Sequence, residues 1–159
     1  MLPKLKLLFL CTGNSCRSQM AEGWTRRLNG DRIEPFSAGV DPSGIDARAA
    51  RVMAEAGVDL SSQRSKHVRE LLDIDFDLVI TVCDHARQTC PSFPRPTRST
   101  HVGFDDPPRL ASAARDDEEA LVHYRRVRDE IRAFVEELPQ RLPDLIGDDS
   151  PATESVKND

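Results

Sequence analysis

The segment from Leu5 to Gly30 constrains this chain more than any other. Leu5 to Leu10 is an apolar run broken only by Lys6, which suits a strand buried on both faces of a parallel sheet. It ends at Cys11. From Ser18 onward Met20, Trp24 and Leu28 recur every four residues until Asn29-Gly30, a helix stop, which predicts a helix with Ser18 as N-cap. Cys11 to Arg17 is then a strand-to-helix turn, the connection from which open α/β sheets are built.

Strand-like and helix-like stretches go on alternating. Ile33 to Ala38 reads as a second strand, confined to a sheet edge by Pro35. A helix capped by Asp46 runs through Met53 to Gly57, a short helical piece covers Val68 to Leu72, and Asp77 to Val82 reads as a third strand. Cys83 to Pro96 is polar and holds Pro91, Pro94 and Pro96, so it reads as an irregular loop before a fourth strand, Ser99 to Gly103. From Asp116 and Asp117, Tyr124, Val127, Ile131, Phe134, Val135 and Leu138 mark an amphipathic helix. The predicted architecture is one three-layer α/β domain over residues 1–142, with a four-stranded parallel sheet flanked by helices. Its ligand site should lie beyond the carboxyl ends of the strands, where both Cys11 and Cys83 fall. Residues 143–159, with five acids against Lys157 alone, read as a disordered acidic tail.

The net charge of −5, from 22 basic and 27 acidic residues, argues against a protein that grips nucleic acid. Leaving out the tail gives 21 basic and 22 acidic residues, so the body is near neutral and a local anion site meets no conflict. Leu7 to Cys11, the longest apolar run near the N-terminus, is far short of the ~20 residues of a membrane helix and follows no signal-peptide layout. The expectation is a cytoplasmic protein with no membrane partner, and a monomer as the default for the fold. In that compartment Cys11, Cys16, Cys83 and Cys90 are expected to serve as metal, redox or nucleophilic groups, or to be simply buried, rather than to form a disulfide framework. A four-cysteine zinc module fits poorly, since six residues separate Cys83 from Cys90 and zinc would not explain Arg17 or the helix after it. No metal is expected.

Thr12, Gly13, Asn14, Ser15 and Cys16 form a loop in which Gly and Asn tolerate unusual backbone angles. Successive N–H groups can converge there on one oxyanion, helped by the positive end of the following helix and by the Arg17 guanidinium. The same donors surround the Cys11 sulfur and should pull its pKa below the free value of ~8.5, with Ser18 adding a hydroxyl hydrogen bond. Cys16 reads as a small buried thiol behind the loop.

Cys11 to Gly23 resembles the signature of thioredoxin-coupled arsenate reductases, which share the low-molecular-weight tyrosine phosphatase fold. Thr81-Val82-Cys83 with Cys90-Pro91, Gly103-Phe104-Asp105-Asp106-Pro107, and Tyr124 to Ile131 resemble further motifs of that family, in the same order. The resemblance implies a relay: Cys11 forms a covalent adduct with arsenate, Cys83 attacks Cys11 as arsenite leaves, and Cys90 resolves the disulfide for reduction by thioredoxin. It also implies proton transfer by Asp106. Some relatives bind potassium through oxygen ligands that Asn14, Glu22 and Ser37 match, but Arg64 and Lys66 stand at the remaining positions. The expectation is therefore no cofactor, with the Lys66 ammonium in the cation's place, paired with Glu22 and supporting Asn14. The rival reading is a low-molecular-weight protein tyrosine phosphatase working through a cysteinyl-phosphate, with Cys11, Arg17 and Asp106 as its machinery. Pro108 and Arg109, where tyrosine-phosphatase relatives carry aromatic walls, and the Cys83/Cys90 pair speak against it.

Overall fold

The computed structural model describes residues 3–146. Four strands, β1 (Leu5–Cys11), β2 (Ile33–Gly39), β3 (Leu78–Thr81) and β4 (Ser99–His101), form one parallel sheet in the order β2-β1-β3-β4. Central β1 pairs Leu5 through Cys11 with Ile33 through Gly39 on one side and Leu7 through Leu10 with Leu78 through Thr81 on the other. Leu7 to Leu10 are almost wholly shielded from solvent, as the unbroken apolar run requires. Pro35 sits on edge strand β2, where a missing N–H is tolerated.

Helices α1 (Arg17–Asn29), α2 (Ala47–Glu55), α3 (Asp84–Gln88), α4 (Pro107–Ala111) and α5 (Asp117–Ile146) flank the sheet. Long α5 packs on α1, α2 and α4. Its contact with α1 carries two buried polar ties, from the Trp24 Nε1–H to the Arg128 carbonyl at 3.2 Å and from the Asn29 amide to the Val135 carbonyl at 3.0 Å. Asp46 caps α2 as expected, its carboxylate accepting from the N–H groups of Arg48 and Ala49.

Three local readings change, and one short helix adds to them. Helix α1 begins at Arg17 with Cys16 in the cap position and no side-chain cap, so Ser18 lies inside the helix. Within the segment read as an irregular loop, α3 forms because the Cys83 sulfur accepts from the Ala86 N–H and caps its first turn. Pro107 and Pro108 start α4, at positions where a helix needs no N–H. Helix α5 passes Leu142 and continues to Ile146, with Pro139 and Pro143 inside it. The remainder of the acidic stretch, residues 147–159, lies outside the described residues.

Candidate active site

Beyond the end of β1 the chain turns through residues 12–16, and its carbonyls are all engaged outward. Cys11 O accepts from Val40 N–H at 3.3 Å, Thr12 O from Asp41 N–H at 2.9 Å, and Ser15 O from Asp46 N–H at 3.0 Å. Gly13 O takes both the Ser43 N–H and the Ser65 hydroxyl, and Asn14 O takes the Gln19 amide. In a trans peptide the next residue's N–H points opposite the carbonyl, so the N–H groups of residues 12–16 turn toward the interior of the loop. A ring of donors of this kind has the form of a cradle for an oxyanion.

Asn14 is the hinge of this turn. Its φ of +47 is the left-handed value that Asn tolerates, and its buried side chain braces the loop on two sides. The amide nitrogen donates to the Ser18 hydroxyl at 2.9 Å, and the amide oxygen accepts from the Lys66 N–H at 2.9 Å. The partner Ser18 has is thus Asn14, not the Cys11 sulfur. Gly39, level with Cys11 on β2, passes directly under the loop, where a Cβ would collide with the Thr12 carbonyl and stand 2.8 Å from Asn14 N.

Cys11, Arg17, Cys83 and Asp106 all line a cavity of about 890 Å³ at the carboxyl end of the sheet. The Arg17 guanidinium is largely buried; it donates to the Phe104 carbonyl at 2.8 Å and lies 3.6 Å from the Asp106 carboxylate. Its Nε–H is buried without a partner, a donor left free beside the cradle. Asp106 stands at the start of α4 without capping it, which leaves its carboxylate to Arg17 and the cavity.

Cys11 and Cys83 are both buried, and their sulfurs act on each other directly. Cys83 is lowered to about 5, first by the hydrogen bond from Cys11 and then by the Thr12 hydroxyl at 3.2 Å, the Ala86 N–H and Arg17. Cys11 is pushed far up by the same contact and by burial, against smaller lowering effects of Arg17 and the Thr12 N–H. The two thiols are thus coupled, and their mutual contact raises Cys11 while it lowers Cys83, against the lowering expected for Cys11 from its loop. The Thr12 N–H and Arg17 favour a Cys11 anion, while the neighbouring Cys83 sulfur and burial oppose it. Cys16 lies under the loop with its thiol pushed well up, by burial and then by Asp46. Cys90 is half-buried beyond the end of α3, its thiol raised by burial, and is not among the residues lining the cavity.

Behind the loop, Glu22, Ser37 and Lys66 come together with a different pairing from that expected. The Ser37 hydroxyl donates to Glu22 at 2.6 Å, while the other Glu22 oxygen binds Arg26 at 2.7 Å, one helical turn further on. The Lys66 ammonium donates to the carbonyls of Ser37 and Arg64, both at 2.8 Å, so it meets Glu22 through Ser37 and not as a direct pair. Among the described residues no cluster of His, Cys, Asp or Glu could hold a metal ion, and no helix is long and apolar enough to cross a membrane.

Sequence reasoning did not find the tie from Tyr124 on α5 to Asp46. Its hydroxyl donates to the Asp46 carboxylate at 2.8 Å across 78 positions, and that same residue's N–H holds Ser15 O. Nor did it find Ser43 and Ser65, which clasp Gly13; nothing local in the chain marks either.

Residues 6–145 match the family model described as low molecular weight phosphotyrosine protein phosphatase. An arsenate reductase of Halalkalibacterium halodurans is 47% identical over 128 residues, covering 80% of this chain and 90% of that protein. A solved arsenate reductase in a phosphate-binding state superposes with a TM-score of 0.67 at 30% identity, over 86% of this chain and 98% of that one. A low molecular weight protein tyrosine phosphatase from T. tengcongensis superposes at 0.69 and 26% identity, over 87% and 99% of the two chains. With its parallel sheet, oxyanion cradle and buried cysteine pair, the chain belongs to the low molecular weight phosphotyrosine protein phosphatase family and stands there among arsenate reductase relatives.

Proposed function

We propose that this protein reduces arsenate to arsenite through a Cys11, Cys83, Cys90 relay that thioredoxin regenerates, in the service of arsenic detoxification. The observation that carries the reading is the Cys11–Cys83 pair: two buried thiols lining one cavity at the end of the sheet, the second within 3.2 Å of the Thr12 hydroxyl of the loop that follows the first. A hydrolase needs the first of these thiols and has no use for the second.

Arsenate enters the ring of N–H groups and the Arg17 guanidinium, and Cys11 reacts as the thiolate of the coupled pair with Cys83 as its thiol. The Cys11 thiolate attacks arsenic, and one oxygen leaves as water with a proton delivered by Asp106. Cys83, freed of its proton again, attacks the Cys11 sulfur. The electron pair of the sulfur–arsenic bond stays on arsenic, which is thereby reduced from the pentavalent to the trivalent state, while the two sulfurs are oxidised to a disulfide. Cys11 is the better leaving sulfur at this point, since the Cys83 anion that opposed its charge is gone and the loop donors remain. Cys90 then attacks Cys83, Cys11 departs as thiolate, and thioredoxin reduces the Cys83–Cys90 disulfide. Because α3 spans the segment between these two cysteines, it must unwind or bend for their sulfurs to approach bonding distance.

Turnover with thioredoxin as reductant tests the relay. Cys83→Ser and Cys90→Ser should each abolish multiple turnovers, with Cys90→Ser stalling as a Cys11–Cys83 disulfide; turnover surviving both substitutions refutes it. A phosphatase reading is supported by the Arg17–Asp106 contact, which suits protonation of a leaving group as well. Hydrolysis of an aryl phosphate that outpaces arsenate reduction, and is indifferent to Cys83→Ser, would favour it.

A further inference from the structure

His101 closes β4 as a buried imidazole, 6% exposed, that the steps above do not use. Its Nδ1 lies 2.8 Å from the Thr81 hydroxyl at the end of β3, and its Nε2 lies 3.3 Å from the Asp84 carboxylate in the first turn of α3. A carboxylate only accepts, so Nε2 carries a proton toward Asp84, and the Nδ1 contact with the Thr81 hydroxyl fixes the other side of the ring. Space for this ring depends on Gly103, where a Cβ would stand 3.0 Å from Nε2. The helix reached by this contact is five residues long and buries one of them, Ala86. A single turn of that length does not hold itself together. Yet it supplies the Ala86 N–H, 3.4 Å from the Cys83 sulfur, which is one of the groups that lower the Cys83 thiol.

We propose that His101 and Asp84 are positioning residues for Cys83. Together they strap α3 to the end of the sheet, so that its first turn stays over the Cys83 sulfur in the reduced protein. The same strap has to open when Cys90 approaches Cys83, so it sits on the one helix whose movement the relay demands. This inference rests on the reading of Cys83 as the second nucleophile only for its kinetic consequence. The strap itself is a property of the reduced protein.

Hydrogen exchange and the pH profile of Cys83 alkylation, both on the reduced full-length chain without arsenate or thioredoxin, test it. Asp84→Ala should speed exchange of the amides in residues 84–89 about ten-fold, the loss of one modest polar contact, and move Cys83 alkylation to higher pH. Asp84→Asn, which keeps an acceptor oxygen, should restore both. Gly103→Ala, which crowds the ring without touching α3, should reproduce the Asp84→Ala effects, and combining the two should add nothing further. Unchanged exchange and an unchanged alkylation profile in Asp84→Ala would overturn the strap, as would full additivity of the pair. If the strap holds while the wild-type protein fails to reduce arsenate, the functional reading falls and this inference stands.

Discussion

The Thr12 hydroxyl stands 3.2 Å from the Cys83 sulfur, joining the loop after β1 to the second residue beyond β3. A contact across this short gap makes the loop part of the environment of the second thiol as well as the first. Thr12→Val keeps the shape and removes the donor. Cys83 should then titrate above its value of about 5, and its alkylation rate at pH 6 should fall several-fold while the rate at pH 9 hardly changes; identical profiles would disprove the link.

The opposite shifts of Cys11 and Cys83 also fix how stability depends on pH. Unfolded, both thiols titrate near their ordinary value of 9.0. Cys83 is depressed, so its contribution is present above pH 9 and is lost as pH falls toward about 5. Cys11 is raised, so its contribution is present below pH 9 and is lost as pH climbs beyond it. The pair as a whole is most stabilising near pH 9. Melting curves of the wild type and a Cys11→Ala/Cys83→Ala protein should differ most there, and a difference that is flat from pH 5 to 10 contradicts the assignment.

Gly39 is required by closeness alone, since a Cβ would meet the Thr12 carbonyl and the Asn14 nitrogen, both backbone atoms of the cradle. Gly39→Ala should cost about 1–3 kcal/mol, as overpacking does, and should weaken the binding of inert oxyanions such as phosphate. Calorimetry on the variant would show both effects.

Tyr124→Phe deletes one hydrogen bond, to a carboxylate that also caps α2. Bonds to charged acceptors contribute about 1.5–3 kcal/mol, so denaturant midpoints should fall by a corresponding amount. The exchange of the Asp46 amide, which holds Ser15 O, should quicken with it. A stability unchanged within error would mean that water replaces the hydroxyl without loss.

Lys66 satisfies two carbonyls of the kind a bound cation would take, those of Ser37 and Arg64. Potassium should accordingly leave the melting temperature and activity of the wild type unchanged. Lys66→Ala should be destabilised by about 1–3 kcal/mol for the acceptors left without a donor, and a potassium-dependent gain in the wild type would show that the ammonium does not stand in for a cation.

Local chemistry made the cradle legible in the chain: an apolar run, a Gly-Asn turn and an Arg before a four-residue apolar period. Asp46 was readable as a cap for the same reason. Ser18 reads as the cap because a good capping residue at the second helical position looks the same as one until the Asn14 amide is seen to donate to its hydroxyl. Helix α3 was hidden because its cap is a sulfur and its sequence, Asp84 to Gln88, has a single residue facing inward. The partner of Glu22 was misassigned although Arg26, four positions on, offered the ordinary helical pairing. Ties such as Tyr124 to Asp46 and Thr12 to Cys83 join residues 78 and 71 positions apart, and no local pattern announces them.

Parallel sheets with two free edges invite a strand from another copy of the chain. On one side here the outermost strand, β4, is three residues long. On the other, the Pro35 carbonyl is taken by the Arg26 guanidinium at 3.4 Å instead of by a neighbouring strand, and the proline offers no donor beside it. Neither border gives an incoming strand an unbroken row of groups to pair with. The sheet thus keeps poor templates for aggregation at both margins.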